Sequence, residues 1–329
     1  MSHAPRLSIG LPVYNSEETL GESLEALLGQ TFDDFELIIS DNASTDGTQE
    51  ICRHYAGQDS RIRYLRQERN LGRVPNHNFT IQQARGELFK WGASSDLYAR
   101  DYLRLCVDAL DKHPDVVLAH SWSAIVNDRG QIINRVKYPV NTHSPSARER
   151  FRSMLFDGWG DDSYGVIRTE VLRRIPPHGS YHFADRTFTT ELGLHGPFYH
   201  VPDWLYFRRD NFTRTSPFTV RQRCAYMDPR RAARLRNPVV RLYGEYLWAY
   251  VAMIRRAPLS PAERRECYRL LTRWLAGRFL PVANRFMPGP DRGRLPLGHE
   301  AYQDSQHAAE QDVLSIDTLV AGREYRASP

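Results

Sequence analysis

The stretch that decides the fold is Leu7-Ser-Ile-Gly-Leu-Pro-Val13, a mostly apolar run followed by the helical spacing of Leu20, Leu24 and Leu27. An apolar run of this length is typical of a strand buried on both faces of a parallel sheet. A second run, Phe35–Ser40 (FELIIS), ends on Asp41, and the turn-rich segment 42–47 opens another helix. Strand and helix therefore alternate from the start of the chain.

The alternation continues to about residue 120. The pattern predicts strands over Ile62–Leu65, Leu88–Gly92 and Val116–His120, with helices over Pro75–Ala84 and Arg100–Lys112. Such alternation implies right-handed strand–helix–strand units and a mainly parallel sheet. Ligands bind beyond the carboxyl ends of the strands in sheets of this kind. We therefore expect one crevice lined by the segments after three strands, Pro12–Asn15, Asp41–Asp46 and Ala93–Asp96.

The composition and the absence of two motifs narrow the classes of protein to which the chain can belong. The chain has 329 residues, 41% of them hydrophobic and 25% charged, as in ordinary globular proteins. Neither a GxGxxG nor a GxxxxGK[ST] motif occurs, which disfavours a dinucleotide-binding fold and a P-loop NTPase. Met1–Arg6 lacks the apolar core of a signal peptide, and Leu247–Ile254 is too short to span a bilayer. We expect a cytoplasmic protein, with contact to the inner face of the membrane left open.

Positive charge is concentrated near the C-terminus. The formal net charge is +5, yet residues 211–294 carry 18 Arg against 5 acidic residues. Two predicted helices in this region, Val239–Arg256 and Pro261–Phe279, mix arginine with tryptophan. Three interpretations stay open for residues 239–287: packing within the molecule, a homodimer, or peripheral contact with a membrane or lipid-linked acceptor. Nucleic acid is not an expected partner, because no recognised module appears.

Three motifs in this order carry a resemblance: Leu11-Pro-Val-Tyr-Asn15, Asp41-Asn-Ala-Ser-Thr-Asp-Gly47 and Asn70-Leu-Gly72. Together they resemble the nucleotide-binding half of inverting glycosyltransferase family 2. The resemblance covers residues 6–212 and implies an α/β GT-A fold, with a mainly parallel, Rossmann-like sheet and a C-terminal helical extension. We expect a GT-A domain over 1–215, an Arg-rich helical extension over 216–287, and a Pro/Gly linker with a polar tail over 288–329.

The residue types suit a nucleotide-sugar donor. A uracil- or thymine-type base needs an aromatic wall and an acceptor for its ring N–H, and Tyr14 and Asp41 supply these at neighbouring strand ends. Pro12 would hold the wall rigid. The resemblance places Asn70 and Arg73 against the base or the phosphates, with Asn76 supporting their loop; a plain surface role for Arg73 stays open.

The expected metal motif is degenerate. The resemblance places an acidic pair at Ser95 and Asp96, and this chain keeps Asp96 alone. One carboxylate with waters and a diphosphate can hold Mg²⁺ or Mn²⁺, so Asp96 is the candidate metal ligand. The alternative is that Asp96 caps the helix near Arg100. Asn211 also stands where related sequences often have a metal-contacting histidine, so a metal-independent site in which arginines neutralise the diphosphate stays open.

A second acidic motif supplies the candidate base. Ala184-Asp185, with Gly196 eleven residues after Asp185, resembles the ED-like motif of the family, with alanine in place of its glutamate. Inversion at the anomeric carbon needs a base opposite the leaving diphosphate, and Asp185 is our candidate. Glu191 is the reserve candidate, with a structural role as its alternative.

These residues predict an inverting glycosyltransferase. It would move a sugar from a nucleotide-diphosphate sugar, with a UDP-sugar favoured, to an acceptor hydroxyl in polysaccharide, glycolipid or secondary-metabolite biosynthesis. The departures at Ser95, Ala184 and Asn211 keep a catalytically weak or silent nucleotide-sugar-binding protein as the alternative. Nucleotidyl transfer is disfavoured, because no Gly-rich, Lys-containing loop follows the first strand.

Overall fold

The computed structural model describes residues 4–127, 130–138, 140–157, 162–181, 183–209, 219–233 and 237–279. Its first part alternates strands and helices as the sequence predicts. The elements are β1 (Leu7–Val13), α1 (Leu20–Leu28), β2 (Phe35–Asp41), α2 (Thr48–Gln58), β3 (Ile62–Arg66), α3 (Arg73–Gln82) and β4 (Leu88–Trp91).

The second part is less regular and ends in helices. It contains β5 (Leu97–Tyr98), α4 (Tyr102–Lys112), β6 (Leu118–Val126), β7 (Ile132–Val136), α5 (Ala147–Phe156), β8 (Val166–Arg168), α6 (Thr169–Arg174), α7 (Ala184–His195) and β9 (Phe198–Arg209). The helices of the extension follow as α8 (Val220–Met227), α9 (Val239–Arg256) and α10 (Pro261–Phe279). The predicted linker and tail over 288–329 lie outside the described residues.

The strands form one mixed sheet in the order β3-β2-β1-β4-β8-β6-β9-β5, with β7 beside β6. The pairs β3–β2, β2–β1, β1–β4 and β6–β9 are parallel. The short strand β8 runs antiparallel to both β4 and β6 and joins the two parallel parts. The predicted α/β class with a mainly parallel central sheet and a helical C-terminal part is confirmed.

Strands β1 and β2 are buried on both faces, which explains why they lie inside the sheet and not at its edge. All seven residues of β2 are buried, as are all of β1 except Pro12. Pro12 has no N–H, which is tolerated because pairing of β1 with β4 ends at Gly10 while β2 continues to Asp41. The strand ends therefore project beyond the sheet on one edge.

Several predicted boundaries were wrong in detail. The helix expected from Arg100 begins at Tyr102, and the strand expected over Val116–His120 starts at Leu118 and continues to Val126. The hydroxyl of Ser16, which precedes α1, pairs with that of Ser94 at 2.9 Å and so joins the loop after β1 to the loop after β4.

The C-terminal helices pack on the rest of the molecule. Tyr250 and Trp274 belong to an apolar cluster that also contains Phe151 of α5 and Leu194 of α7. Both aromatic residues are at most 4% exposed, so the described part of the extension shares a core with the sheet-bearing part. Across the described ranges, every helix is too short or too polar to cross a bilayer.

Candidate active site

The loops after β1, β2 and β4 meet at one edge of the sheet, as the sequence predicts. The backbone N–H of Asn15 donates to Ser44 Oγ at 3.0 Å, and its side-chain oxygen accepts from the Thr45 N–H at 2.9 Å. Ser94 is held from the other side, because Thr19 donates to its carbonyl at 2.8 Å. Asn15 has a positive φ of 46°, which asparagine tolerates better than most residues. The three loops therefore form one connected surface.

Asp41 is the buried acidic centre of this surface. Its side chain is fully buried, and its carboxylate accepts from the Ser44 N–H at 2.8 Å and the Tyr64 hydroxyl at 2.9 Å. Arg66 forms an ion pair with the same oxygen that Tyr64 contacts. Burial and the Asp41 contact raise the pKa of Tyr64 to about 12, so Tyr64 stays a donor at neutral pH. One oxygen, Oδ1, keeps acceptor capacity beyond its contact with Ser44.

Tyr14 and Asn70 are held differently. Tyr14 follows β1 with 43% of its surface exposed, as a wall for a planar base requires. Asn70 accepts a hydrogen bond at 2.9 Å from Asn42, the residue after Asp41, and Asn42 in turn accepts from the Leu71 N–H at 2.8 Å. Asn42 therefore fixes the shape of the Asn70 loop, a role that sequence reasoning missed. The sequence feature that could have indicated this role is the amide side chain next to Asp41 in the motif 41–47.

Asn76 does not contact the Asn70 loop with its side chain. It is buried, donates to the carbonyl of Ser40 at 2.8 Å and accepts from the hydroxyl of Ser40 at 2.6 Å. Ser40 immediately precedes Asp41, so Asn76 anchors α3 to the end of β2. The support that we expected for the loop goes instead to the strand that carries Asp41.

Asp96 lies beside the last strand rather than on a helix. It is 7% exposed, and its carboxylate accepts from the Tyr206 hydroxyl at 2.5 Å and, more weakly, from the Arg209 N–H at 3.4 Å. Burial and the nearby Asp96 carboxylate raise the pKa of Tyr206 well above its ordinary value. The alternative role of Asp96 as a helix cap finds no support, since α4 begins at Tyr102 and the position before it is Asp101.

Behind Asp96 lies Lys90, which sequence reasoning did not single out. Its ammonium group is fully buried over the rings of Tyr98, Tyr102 and Tyr206, at 4.3, 4.8 and 5.5 Å from their centroids. It donates to the carbonyls of Trp91 and Tyr164. Burial lowers the pKa of Lys90 to about 7. The sequence feature that could have drawn attention to Lys90 is its place in the middle of a predicted buried strand, where lysine is rare.

Arg73 is the first residue of α3, and its side chain is exposed to solvent. The pKa of its guanidinium is raised by Tyr164 first, and also by Tyr226 and Asp185, while burial acts in the opposite direction. The cation that pairs with Asp41 is Arg66 instead.

The two acidic candidates on α7 differ sharply. Asp185 lies in the first turn, is exposed, and accepts from the N–H of Arg186 at 2.9 Å. Glu191 is 6% exposed and accepts two hydrogen bonds at 3.1 Å from Arg256 of α9. Burial raises the pKa of Glu191. Glu191 thus ties the extension to α7, and Asp185 stays open to solvent.

The fit of a divalent cation depends on Asp96. Within the described ranges, no group of three or more His, Cys, Asp or Glu side chains could hold a metal. Oδ1 of Asp96, which has weaker contacts than Oδ2, can supply one oxygen, as suffices when a diphosphate and waters supply the others. Asn211 lies outside the described residues. Asp96 therefore fits a cation as a single ligand.

The match to a known family follows the same residues. Residues 8–175, about half of the chain, match the family described as glycosyl transferase family 2. The chain therefore belongs to this family, and it is a glycosyltransferase. The match covers β1 to α6, including Tyr14, Asp41 and Asp96.

Curated relatives cover different shares of the chain. The Streptococcus pneumoniae serotype 4 glycosyltransferase GlyG is 27% identical over 207 residues, which is 62% of this chain and 68% of GlyG. The putative Bacillus subtilis glycosyltransferase EpsE is 35% identical over 114 residues, or 34% of this chain and 41% of EpsE. The chain thus spans two thirds of the first relative and less than half of the second.

Solved structures share the fold. S. aureus TarS 1-349 in complex with UDP-GlcNAc has a TM-score of 0.59 and 20% identity, covering 82% of this chain and 72% of that one. A mannosyltransferase from Pyrobaculum calidifontis in complex with GDP-Man and Mn²⁺ has a TM-score of 0.50 and 18% identity, covering 86% and 78%. At these identities the similarity establishes the GT-A fold.

Proposed function

We propose that the chain is an inverting glycosyltransferase that uses a UDP-sugar. The observation that carries the proposal is the joined surface of three strand-end loops, which presents the exposed ring of Tyr14 beside the buried carboxylate of Asp41. A uracil ring would stack on Tyr14, with its N–H directed to Oδ1 of Asp41. Pro12 limits the movement of the strand end, and Asn70 is held through Asn42. The UDP and UDP-GlcNAc complexes of TarS support this choice of donor.

The reaction needs a base on the side opposite the diphosphate, and Asp185 is our candidate. The acceptor hydroxyl would attack the anomeric carbon and form the new glycosidic bond, while the bond to the β-phosphate oxygen breaks and UDP leaves with its electron pair. The acceptor proton would pass to the carboxylate of Asp185. Attack from the face opposite the leaving group inverts the anomeric configuration.

A divalent cation is the proposed cofactor, with Asp96 as its protein ligand. Mg²⁺ or Mn²⁺ would neutralise the charge that develops on the leaving diphosphate. Arg209 supports a metal-independent variant, because its guanidinium donates to the carbonyl of Ser95 at 3.3 Å and is only 10% exposed. Calorimetric titration with UDP separates the two. UDP binding that is tighter with Mn²⁺, and loses this gain in Asp96→Asn, supports the metal. UDP binding that EDTA leaves unchanged supports the arginines.

The acceptor class remains a proposal. A hydroxyl on a polysaccharide, a glycolipid or a small secondary metabolite fits the chemistry. Contact with the inner face of an anionic membrane is supported by Arg265, Arg269 and Arg273, which lie at helical spacing on the exposed side of α10. Co-sedimentation with anionic vesicles at low and high salt tests this contact: absence of binding at low salt contradicts it, and sedimentation velocity then tests the homodimer.

Product analysis tests the proposed function. Incubation with UDP-sugars and acceptor glycosides should release UDP, and NMR of the product should show an inverted anomeric configuration. Release of pyrophosphate would indicate nucleotidyl transfer and contradict the proposal. UDP-sugar binding without any turnover, including hydrolysis, would favour the nucleotide-sugar-binding alternative suggested by Ser95 and Ala184.

A further inference from the structure

The two oxygens of the Asp96 carboxylate have unequal partners. The Tyr206 hydroxyl donates to Oδ2 at 2.5 Å, across 110 positions of sequence, and both side chains are buried. Oδ1 has only long contacts, of 3.4 Å with the Arg209 N–H and 3.5 Å with the Ser95 hydroxyl. Hydrogen bonds of that length are weak. Oδ2 is therefore engaged inside the protein, and Oδ1 keeps acceptor capacity.

Strand pairing brings the Tyr206 hydroxyl to the Asp96 carboxylate. Asp96 immediately precedes β5, which runs antiparallel to β9, and Tyr98 lies opposite Tyr206 in that pair. Directly after β5, the Ala99 N–H donates to the carbonyl of Leu205 at 2.9 Å. The loop that carries Asp96 is thus fastened to the strand that carries Tyr206. The contact between the two side chains follows from the register of β5 and β9.

The ring of Tyr206 is itself held by buried neighbours. It stacks on Tyr98, with the ring centroids 5.2 Å apart and an interplanar angle of 5°. The Lys90 ammonium group lies 4.3 Å from the centroid of Tyr98 and 5.5 Å from that of Tyr206. Lys90 is anchored in turn, because it donates to the carbonyls of Trp91 and Tyr164. A ring packed in this way leaves its hydroxyl little freedom to move.

We propose that Tyr206 is a positioning residue, which holds Oδ2 of Asp96 and leaves Oδ1 for the divalent cation of the donor complex. Carboxylates that bind metals are oriented by hydrogen bonds from outer partners, and the loss of such a partner weakens metal binding. The orientation matters more in this chain, because Ser95 supplies no second carboxylate. Tyr206 acts through Asp96 and donates to no donor group itself. The inference rests on the proposed function and names the residue that makes a site with one carboxylate usable.

The test compares two buried tyrosine hydroxyls, each removed by substitution with phenylalanine. Calorimetry gives the Kd of UDP in EDTA and in Mn²⁺, and the ratio of the two is the gain due to the cation, which needs no turnover. We expect Tyr206→Phe to reduce this gain by about tenfold, the lower end for loss of an outer partner of a metal ligand. The Kd of UDP in EDTA should stay unchanged. Tyr102→Phe is the matched control and should keep the gain, because the Tyr102 hydroxyl donates to the carbonyl of Tyr164 at 3.1 Å and not to Asp96.

A purely structural role for Tyr206 would give a different result. Tyr206→Phe would then lower the melting temperature and weaken UDP binding equally in EDTA and in Mn²⁺, or Tyr102→Phe would reduce the gain as much. Either result overturns the inference, and so does an unchanged gain in Tyr206→Phe.

The wild type separates failure of the inference from failure of the proposed function. UDP binding that Mn²⁺ does not tighten would overturn the role of Tyr206 and leave the proposed donor site supported. Absence of UDP binding would overturn the proposed function, and the inference with it.

Discussion

The donor side and the base side of the candidate site are built in different ways. The donor side uses consecutive strand-end loops, and its central carboxylate, Asp41, is buried with partners on both oxygens. The base candidate, Asp185, lies in the first turn of α7 and is exposed. Helix α7 is held by a distant segment, since Arg256 of α9 donates two hydrogen bonds to Glu191. The donor side therefore gains its geometry from neighbouring loops, and the base side depends on how distant helices dock.

The largest expected effect concerns the exposed carboxylate on the base side. Asp185→Asn should lower kcat by about 10²–10⁴-fold, because the amide cannot take the acceptor proton. UDP affinity and melting temperature should hardly change, since Asp185 is exposed and its carboxylate contacts only the neighbouring Arg186 N–H among the described hydrogen bonds. Steady-state kinetics and calorimetry measure this difference. Wild-type kcat in the variant would remove Asp185 as the base.

The donor side should respond in the opposite way, through stability as well as binding. Asp41→Asn leaves Arg66 without its partner and weakens the contacts with Ser44 and Tyr64. We expect the free energy of unfolding to fall by about 2–3 kcal/mol, together with loss of UDP binding. Denaturant titration measures the first and calorimetry the second. Asp33→Asn, an exposed carboxylate before the start of β2, is the matched control and should change neither.

Acid should weaken the part of the sheet formed by β6 and β9. The rings of His120 and His200 lie 4.3 Å apart, and burial lowers their pKa values to about 4 and about 3. The unfolded chain then binds more protons below pH 6.5, so stability should fall as the pH drops from 6.5 towards 4. We expect a loss of about 3 kcal/mol for each histidine over this pH range. The rings of His77 and His178 lie 5.1 Å apart beside Trp91 of β4, and burial lowers the pKa of both, so this second pair adds to the same trend.

His200→Gln provides the comparison for this pH effect. The amide can keep a hydrogen bond with Thr142, whose hydroxyl lies 2.7 Å from His200 Nε2. Denaturant titrations at several pH values should show a shallower dependence for the variant than for the wild type. Equal slopes for the two proteins would mean that His200 does not titrate on unfolding in this range.

The smallest expected effect concerns the ion pair that joins the extension to α7. Glu191→Gln should lower the free energy of unfolding by about 1 kcal/mol, because Arg256 loses a charged partner in a contact that is buried on the Glu191 side and partly exposed on its own. The kcat of the folded protein should stay within a few-fold of wild type, in contrast to Asp185→Asn on the same helix. A double-mutant cycle with Arg256→Gln isolates the pair energy. A loss of kcat matching that of Asp185→Asn would return Glu191 to the list of candidate bases.

The first part of the fold follows from local patterns, and so do the last two helices. Strand β1 and helices α9 and α10 have the predicted bounds, since their apolar spacing and flanking residues agree with one another. The second part was harder to predict. Strand β8 has three residues, too few for a periodic signal, yet it joins the two parallel parts of the sheet.

The candidate site also has a part that the sequence predicted and a part that it did not. Tyr14, Asp41 and Asp96 follow predicted strands, so the sequence was enough to bring their loops to one edge of the sheet. Their partners were not predictable: Arg66 takes the place beside Asp41, Asn42 holds Asn70, and Tyr206 contacts Asp96 across 110 positions of sequence. Side-chain pairs of this kind form between elements whose relative position no local pattern encodes.

By itself, the sequence determined the class of the fold, the edge of the sheet where the donor loops meet, and the candidate carboxylates, because hydrophobic periodicity and turn residues act over a few positions. Tertiary structure alone decided that Lys90 is buried among tyrosines, that Arg66 and not Arg73 pairs with Asp41, and that residues 227–229 rest on Gly72. These contacts join segments that are distant in the chain, and they form only when the apolar faces of those segments pack into one core.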